Sequence, residues 1–476
     1  MNEQKFKNIC KISSRIIENN LNSITFLSVS ELFVVRPHPI FIKSYKLIFE
    51  KFFYLKLTKI FLINFLKLII DILIGTFTKK ISFQKIKKAN FIFFSHLENK
   101  DQVLKKNSND IYFSHIFSNF KKKYNLVLLN HTRERIGISK NKIILNMYLS
   151  FFKELKIFIE LFKEFLIQLN AHKIYKRDFE KKFHLLIVAN LISKSTFTNL
   201  RIYYQALELI SKTKPKKVVI TYEGHAYERN ILYASNKINK NIKKFAFHHS
   251  LPFKNQYSYT QIINNGSDPD YILASGRNSF GKFSSIKKYK DRTIIIGSNR
   301  ISKFYIKKNK KNKNNKFNCL IIPEGIEEET NILLNFCDNY LNCYNKVSFH
   351  IRLHPLLKSK KKKYETMMHK HVKEKKVTFS ENSNVNIDFM KCDLALYRGT
   401  SLIFDAVKSG LVPFYYSKKN EINFDPLSLE GSINITNKIH NIKEFEKILK
   451  TNIFKKNYYR DAYCLPKKKN INKIFD

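Results

Sequence analysis

From residue 90 onward, short apolar runs alternate with longer stretches whose apolar residues recur at helical spacing. "NFIFFSH" (90–96) and "YNLVLLNH" (124–131) have strand length, while "KIILNMYLSFFKELKIFIELFKEFLIQL" (142–169) carries a helical period. "KVVITYEG" (217–224) predicts a buried strand that stops at a glycine, followed by the helix "AYERNILYASNKI" and the strand "KKFAFHHS" (243–250). "DYILAS" and "TIIIGS" add two more strands. Strands that alternate with helices predict a parallel sheet covered on both faces.

The pattern breaks at "KKNKKNKNNK" (307–316), a basic run without an apolar residue, which reads as a linker. It then restarts with strand "FNCLIIPEG", helix "EEETNILLNFCDNYL" and strand "KVSFHIRLHP". "KVTFS", "CDLALYRGTS", the helix "SLIFDAVKSG" and "LVPFYY" complete a second unit. The expected fold is α/β, with two Rossmann-like doubly wound domains behind a helical, apolar-rich N-terminal extension. The expected divisions are 1–88 for that extension, 89–306 for the first domain, 307–316 for the linker and 317–476 for the second domain. The last helix is a candidate for packing back on the first domain. Ligands of such sheets bind beyond the carboxyl ends of the strands, so the cleft between the domains is the expected site.

Within the extension, "IFLINFLKLIIDILIGTF" (60–77) is long and apolar, but Asn64, Lys67 and Asp71 share one helical face. A helix with a polar stripe packs against a domain or lies in a membrane interface. Lys56, Lys59, Lys79 and Lys80 flank it and suit anionic headgroups, which makes 56–80 a candidate interfacial helix.

Composition changes this picture in two ways. With 42 Phe and 25 Tyr the chain can fill real cores. Its 87 Lys and Arg against 38 Asp and Glu leave +49, which fits an anionic membrane surface or substrate, and equally a compositional bias toward Lys and Asn. No zinc-finger or RNA-binding signature accompanies the charge, so no nucleic-acid partner is expected. The six cysteines contain no CxxC pair, and the first twenty residues lack a secretory apolar core, so a reducing cytoplasm is the expected compartment.

Candidate chemistry gathers at predicted strand ends. In "YRGTSLIFDAVKSGLVP" a strand runs through Arg398, Gly399, Thr400 and Ser401 into a helix that carries Asp405, an arrangement suited to an anion. In "VSFHIRLHP" the alternation puts Arg352 and His354 on one side, where they can hold a phosphate. In "TYEGHAYERN" Glu223 closes a buried strand and is the candidate general base, with His225 just beyond it. "FAFHHSLPF" ends the next strand with His248 and His249, which read as cleft or acceptor contacts. "IIPEG" ends the second domain's first strand with Glu324 and Gly325, where a glycine permits close approach of a ligand. "DPD" (268–270) reads as a turn, and no third ligand joins the paired histidines, so no metal is expected.

Taken in order over roughly residues 90–440, these motifs resemble a GT-B glycosyltransferase of bacterial surface-polysaccharide synthesis. The R-x-H-P strand end resembles the HP motif of sialyl- and Kdo-type transferases. Tyr222-Glu223-Gly224 matches only the last two positions of their acidic motif. The resemblance implies a nucleotide-sugar donor held by Arg352, His354, Glu324, Gly325, Arg398, Gly399, Thr400, Ser401 and Asp405. It implies Glu223 and His354 as catalytic groups, a glycan or lipid-linked acceptor, inversion, no metal or other cofactor, and a cytoplasmic place that extends to the inner face of the membrane. The alternatives are a teichoic-acid-type polyol-phosphate transferase, which shares the R-x-H-P strand, and a non-catalytic polyanion- or membrane-binding protein.

Overall fold

The computed structural model describes residues 2–33, 37–40, 42–76, 86–97, 110–118, 120, 122–130, 143–145, 148–299, 316–428, 437–451 and 463–475. The predicted linker at 307–316 lies almost wholly outside the described residues, as do Lys79 and Lys80.

The apolar runs of the first half become seven strands: β1 (Phe91–His96), β2 (Tyr124–Leu129), β3 (Ile143–Leu145), β4 (Lys217–Thr221), β5 (Lys243–His248), β6 (Tyr271–Ala274) and β7 (Thr293–Ile295). Their order is β3-β2-β1-β4-β5-β6-β7, and every pairing is parallel. The longer helices of this half are α1 (Glu3–Glu18), α2 (Phe53–Thr76), α3 (Phe151–Ala171), α4 (Asp178–Leu191), α5 (Lys194–Thr213), α6 (Ala226–Ile238) and α7 (Arg277–Ser284).

Strand pleating sorts each run onto two faces. Ile92, Phe94, Val218 and Ile220 join one core with Phe6, Ile9 and Ile16 of α1. Phe91, Phe93, Val219 and Phe247 point the other way, into a core closed by Ile471, Ile474 and Phe475. The N-terminal helices therefore form one layer of the first domain.

The second half builds β8 (Phe317–Ile322), β9 (Val347–Ile351), β10 (Val377–Phe379), β11 (Leu394–Tyr397), β12 (Val412–Tyr416) and β13 (Asn437–Ile439). Their order is β10-β9-β8-β11-β12-β13, again parallel throughout. Its helices include α8 (Glu327–Cys343), α9 (Val385–Lys391), α10 (Ile403–Lys408) and α11 (Ile442–Thr451). The C-terminal α12 (Lys468–Phe475) crosses back to the first sheet, where Lys217 donates to the Ile474 carbonyl.

Both sheets thus share one winding. Strand order reverses between β1 and β4 in the first and between β8 and β11 in the second, and such switch points open a crevice at the carboxyl ends. The two sets of strand ends meet. Leu251, three residues past β5, is buried with Ile322, Tyr397 and Leu427 of the second domain.

Two elements differ from expectation. The helix predicted over 142–169 starts only at Phe151, because Ile143-Ile144-Leu145 adds an edge strand first. Glu154 then anchors the helix start by accepting the Leu149 N–H at 2.7 Å. The helix after Ser401 is short, covering Ile403–Lys408.

Candidate active site

At the end of β4 the chain turns sharply through Tyr222, Glu223 and Gly224 into α6. Gly224 has φ +87°, and a Cβ there would lie 2.7 Å from Ser258 Cβ, so this turn requires glycine. The Ser258 hydroxyl donates to the Glu223 carbonyl at 2.7 Å and holds the turn from outside. From inside, the buried Glu228 carboxylate accepts the N–H groups of Glu223, Gly224 and His225 at 2.9, 2.7 and 2.8 Å. Burial pushes the Glu228 carboxyl up to about 7. Glu228 is a clasp for the turn, and Glu223 is the residue the turn displays.

The Glu223 carboxylate stands 3.5 Å from His225 Nε2 and 3.8 Å from His249 Nε2. His249 follows β5 directly, and its ring packs edge-on to Tyr112 at 4.6 Å and lies 5.8 Å from His96. His96 closes β1, and its Nε2 is 2.9 Å from the Thr221 hydroxyl at the end of β4. Tyr227 stacks on His225 at 5.3 Å. One largely buried carboxylate, three imidazoles and two phenols therefore share the carboxyl ends of β1, β4 and β5, at the switch point. Among the described residues no three His, Cys, Asp or Glu side chains form a group that could hold a metal ion.

His248 was expected in the cleft beside His249, but it faces the opposite side of the pleat. Its Nδ1 is 2.9 Å from the Ser279 hydroxyl, and its ring packs against Tyr259 and Phe283. Burial pushes its imidazole down to about 4, partly offset by the charge of Glu223, so the ring is a neutral core group.

In the second domain the loops after β8, β9 and β11 press together. A Cβ on Gly325 would lie 2.8 Å from His354 Nδ1, and one on Gly399 would collide with the Glu324 carboxylate. These glycines let three strand-end loops meet at the second switch point. His354 caps the 3₁₀ turn 355–360, its Nδ1 accepting the Leu356 N–H at 3.3 Å, which leaves Nε2 as the ring's donor. Burial lowers its pKa against an opposing pull from Glu324. Thr400 is half-buried, with its hydroxyl accepting the Leu402 N–H at 3.3 Å, while Ser401 is exposed and Asp405 half-buried on the first turn of α10. With only six residues, α10 has a weak dipole to offer an anion.

The two arginines expected at the donor are bound internally. β9 ends at Ile351, so the alternation that was to align Arg352 with His354 has already stopped. Arg352 pairs with Asp388 of α9 and donates to the Asn382 and Ser383 carbonyls at 3.0 and 3.1 Å. His350 joins it, with Nε2 at 3.0 Å from the other Asp388 oxygen. Arg398 is buried, pairs with Glu329, forks onto both Glu421 oxygens at 2.9 Å and donates to the Tyr416 carbonyl. Both guanidinium groups brace loops. The half-buried Glu324 carboxylate lies 3.3 Å from Nε2 of the buried His38.

Sequence reading missed His38, His96 and Tyr112. His96 ends a predicted strand, the same signal that singled out Glu223. His38 sits in "RPHP" and Tyr112 beyond a stretch without a clear period, and nothing near either in sequence marks it.

No protein-family model matches the chain, and no curated protein matches it in sequence. Solved structures give low-identity matches. The UDP-GlcNAc 2-epimerase from Methanocaldococcus jannaschii is 10% identical over 81% of this chain and 98% of its own, with a TM-score of 0.42. The lipopolysaccharide outer core galactosyltransferase WaaB is 12% identical over 76% of this chain and 91% of its own, also at 0.42. Anabaena HepE, solved with UDP and glucose, is 9% identical over 76% of this chain and 89% of its own, at 0.39. Likenesses of this degree carry no argument about chemistry, and the assignment of the site rests on its own geometry.

Proposed function

We propose that the chain is a cytoplasmic, metal-independent glycosyltransferase that moves a sugar from a nucleotide sugar to a hydroxyl of a surface-polysaccharide or lipid-linked glycan, with inversion. The observation that carries this reading is the place of Glu223. It is a carboxylate fixed by a clasped turn at the first switch point, opposite a second parallel sheet whose strand ends are opened by glycines. Glu223 takes the proton of the acceptor hydroxyl as that oxygen bonds to the anomeric carbon. The bond from the anomeric carbon to the phosphate oxygen breaks, and the nucleotide leaves as an anion. His354 Nε2 and the backbone around Gly325, Gly399 and Thr400 are the groups placed to receive that phosphate. His225 and His249 orient Glu223 and the acceptor.

The pair of imidazoles within 4 Å of Glu223 also supports a polyol-phosphate transferase, in which a hydroxyl whose proton goes to a histidine bonds to phosphorus while the P–O bond to the nucleotide breaks and the nucleotide leaves as an anion. One experiment separates these readings. A thermal-shift screen of CMP, CDP, UDP, GDP and ADP identifies the nucleotide; saturation at a hundred times Kd stabilises by about 2.7 kcal/mol. Incubation with sugar and polyol-phosphate derivatives of that nucleotide, followed by mass spectrometry of the acceptor, shows which group is transferred. Stabilisation by polyanions alone, with a steep salt dependence, would overturn both enzyme readings.

A further inference from the structure

The helices α2 and α3 lie side by side, joined by stacked Phe61 and Phe165 with centroids 5.2 Å apart. Leu68 and Ile72 of α2 and Ile157 and Leu161 of α3 enter the first core, but charged residues are buried among them, where a surface helix of a soluble domain shows its polar stripe. Asp71 of α2 is 1% exposed, 2.8 Å from Lys194 and 3.2 Å from the buried Arg201. Glu154 of α3 is also buried and takes two hydrogen bonds from Arg201, each 2.8 Å. Asn64 bonds Asn190 of α4. The sequence-level polar stripe of α2 thus turns inward at Asn64 and Asp71, with Lys67 left exposed.

The outward side is apolar. Leu55 is 73% exposed, Leu66 60% and Ile70 55% on α2, and Phe152 80% and Ile167 61% on α3. Scattered exposed leucines are ordinary, but a ridge shared by two adjoining helices marks a binding surface. The charges beside it select the partner. The only acid of α2 is the buried Asp71, while Lys56, Lys59 and Lys67 are exposed, and Lys156 and Lys163 are exposed on α3. An apolar strip edged by lysines is complementary to acyl chains below anionic headgroups. Among the described residues no helix is long and apolar enough to cross a membrane.

We infer that the α2–α3 ridge docks the protein on an anionic lipid bilayer, with both helices lying in the headgroup plane and Arg201 pinning their acids inward. This inference is independent of the transfer chemistry. The test uses the full chain with phosphatidylglycerol and phosphatidylcholine vesicles in a flotation assay, with analytical ultracentrifugation of the lipid-free protein alongside. Binding should be at least about tenfold tighter to phosphatidylglycerol. It should fall by about tenfold or more in Leu66→Glu/Ile70→Glu and, separately, in Phe152→Glu/Ile167→Glu. These positions are exposed, so thermal unfolding should be unchanged in both variants. A loss confined to the α2 variant would overturn the two-helix ridge. Absence of vesicle binding, or binding indifferent to both variants, would overturn the docking site. A dimer that both variants dissociate, with no vesicle binding, would assign the ridge to a second copy of the chain instead.

Discussion

The two switch points have the same strand order and opposite chemistry. At the first, a carboxylate, histidines and tyrosines from three strand ends converge, and Glu223 is presented by backbone that other groups restrain. At the second, the charged residues are consumed by the protein itself: Arg352 by Asp388, and Arg398 by Glu329 and Glu421. Beside them stand the His354 imidazole, the Thr400 and Ser401 hydroxyls and backbone freed by glycines. A charged residue at a strand end is therefore a poor guide until its partners are known, because a guanidinium that already holds two carboxylates has few donors left.

This contrast can be broken at Arg398. Arg398→Ala should lower unfolding free energy by about 3–5 kcal/mol, since it strands the buried Glu329 carboxylate and the half-buried Glu421. Urea unfolding measures it, and a fully stable variant with lost nucleotide affinity would return Arg398 to the donor site.

The adjacent pair His248 and His249 sharpens the same point on the first sheet. His248, held neutral by burial with its pKa at about 4 against 6.5 when free, binds no proton in the folded state between those values, whereas the unfolded chain does. Its contribution to stability is complete above pH 6.5, is lost as pH falls toward 4, and changes no further below that. The stability difference between wild type and His248→Gln should therefore shrink by roughly 3 kcal/mol from pH 7 to pH 4. A difference that stays constant would mean that solvent reaches this ring.

The smallest effect is expected at His354. As a neutral donor it should contribute about 0.5–1.5 kcal/mol to nucleotide binding, so His354→Ala should raise Kd by roughly two- to twelvefold in calorimetry, with only the small drop in melting that loss of its cap on the 355–360 turn brings. A larger loss would show that the ring is protonated in the complex.

Much of this architecture was legible in the sequence. Strand and helix runs alternate with clear periods, and two units on either side of a basic stretch predict two doubly wound sheets. β3 was hidden because three apolar residues leading into an amphipathic helix share its period. Glu223 was legible because a glycine follows it at the end of an apolar run. The three backbone N–H groups that Glu228 accepts became visible only with the turn itself. The fate of the arginines was not legible, because Asp388 lies 36 residues from Arg352 and Glu329 lies 69 from Arg398. Pairing over such distances is set by tertiary structure and leaves no local period. His38 is hidden for the same reason, since it meets Glu324 across the two domains.

The central claim is that Glu223 accepts the proton of the acceptor, and Glu223→Gln tests it most directly. The amide keeps the size and most hydrogen bonding of the carboxylate but cannot take the proton. Single-turnover transfer, measured with saturating donor and acceptor, should fall by about 10²–10⁴. Nucleotide affinity and melting temperature should be unchanged. Transfer within about twofold of wild type would contradict the claim and move the base to His225 or His249.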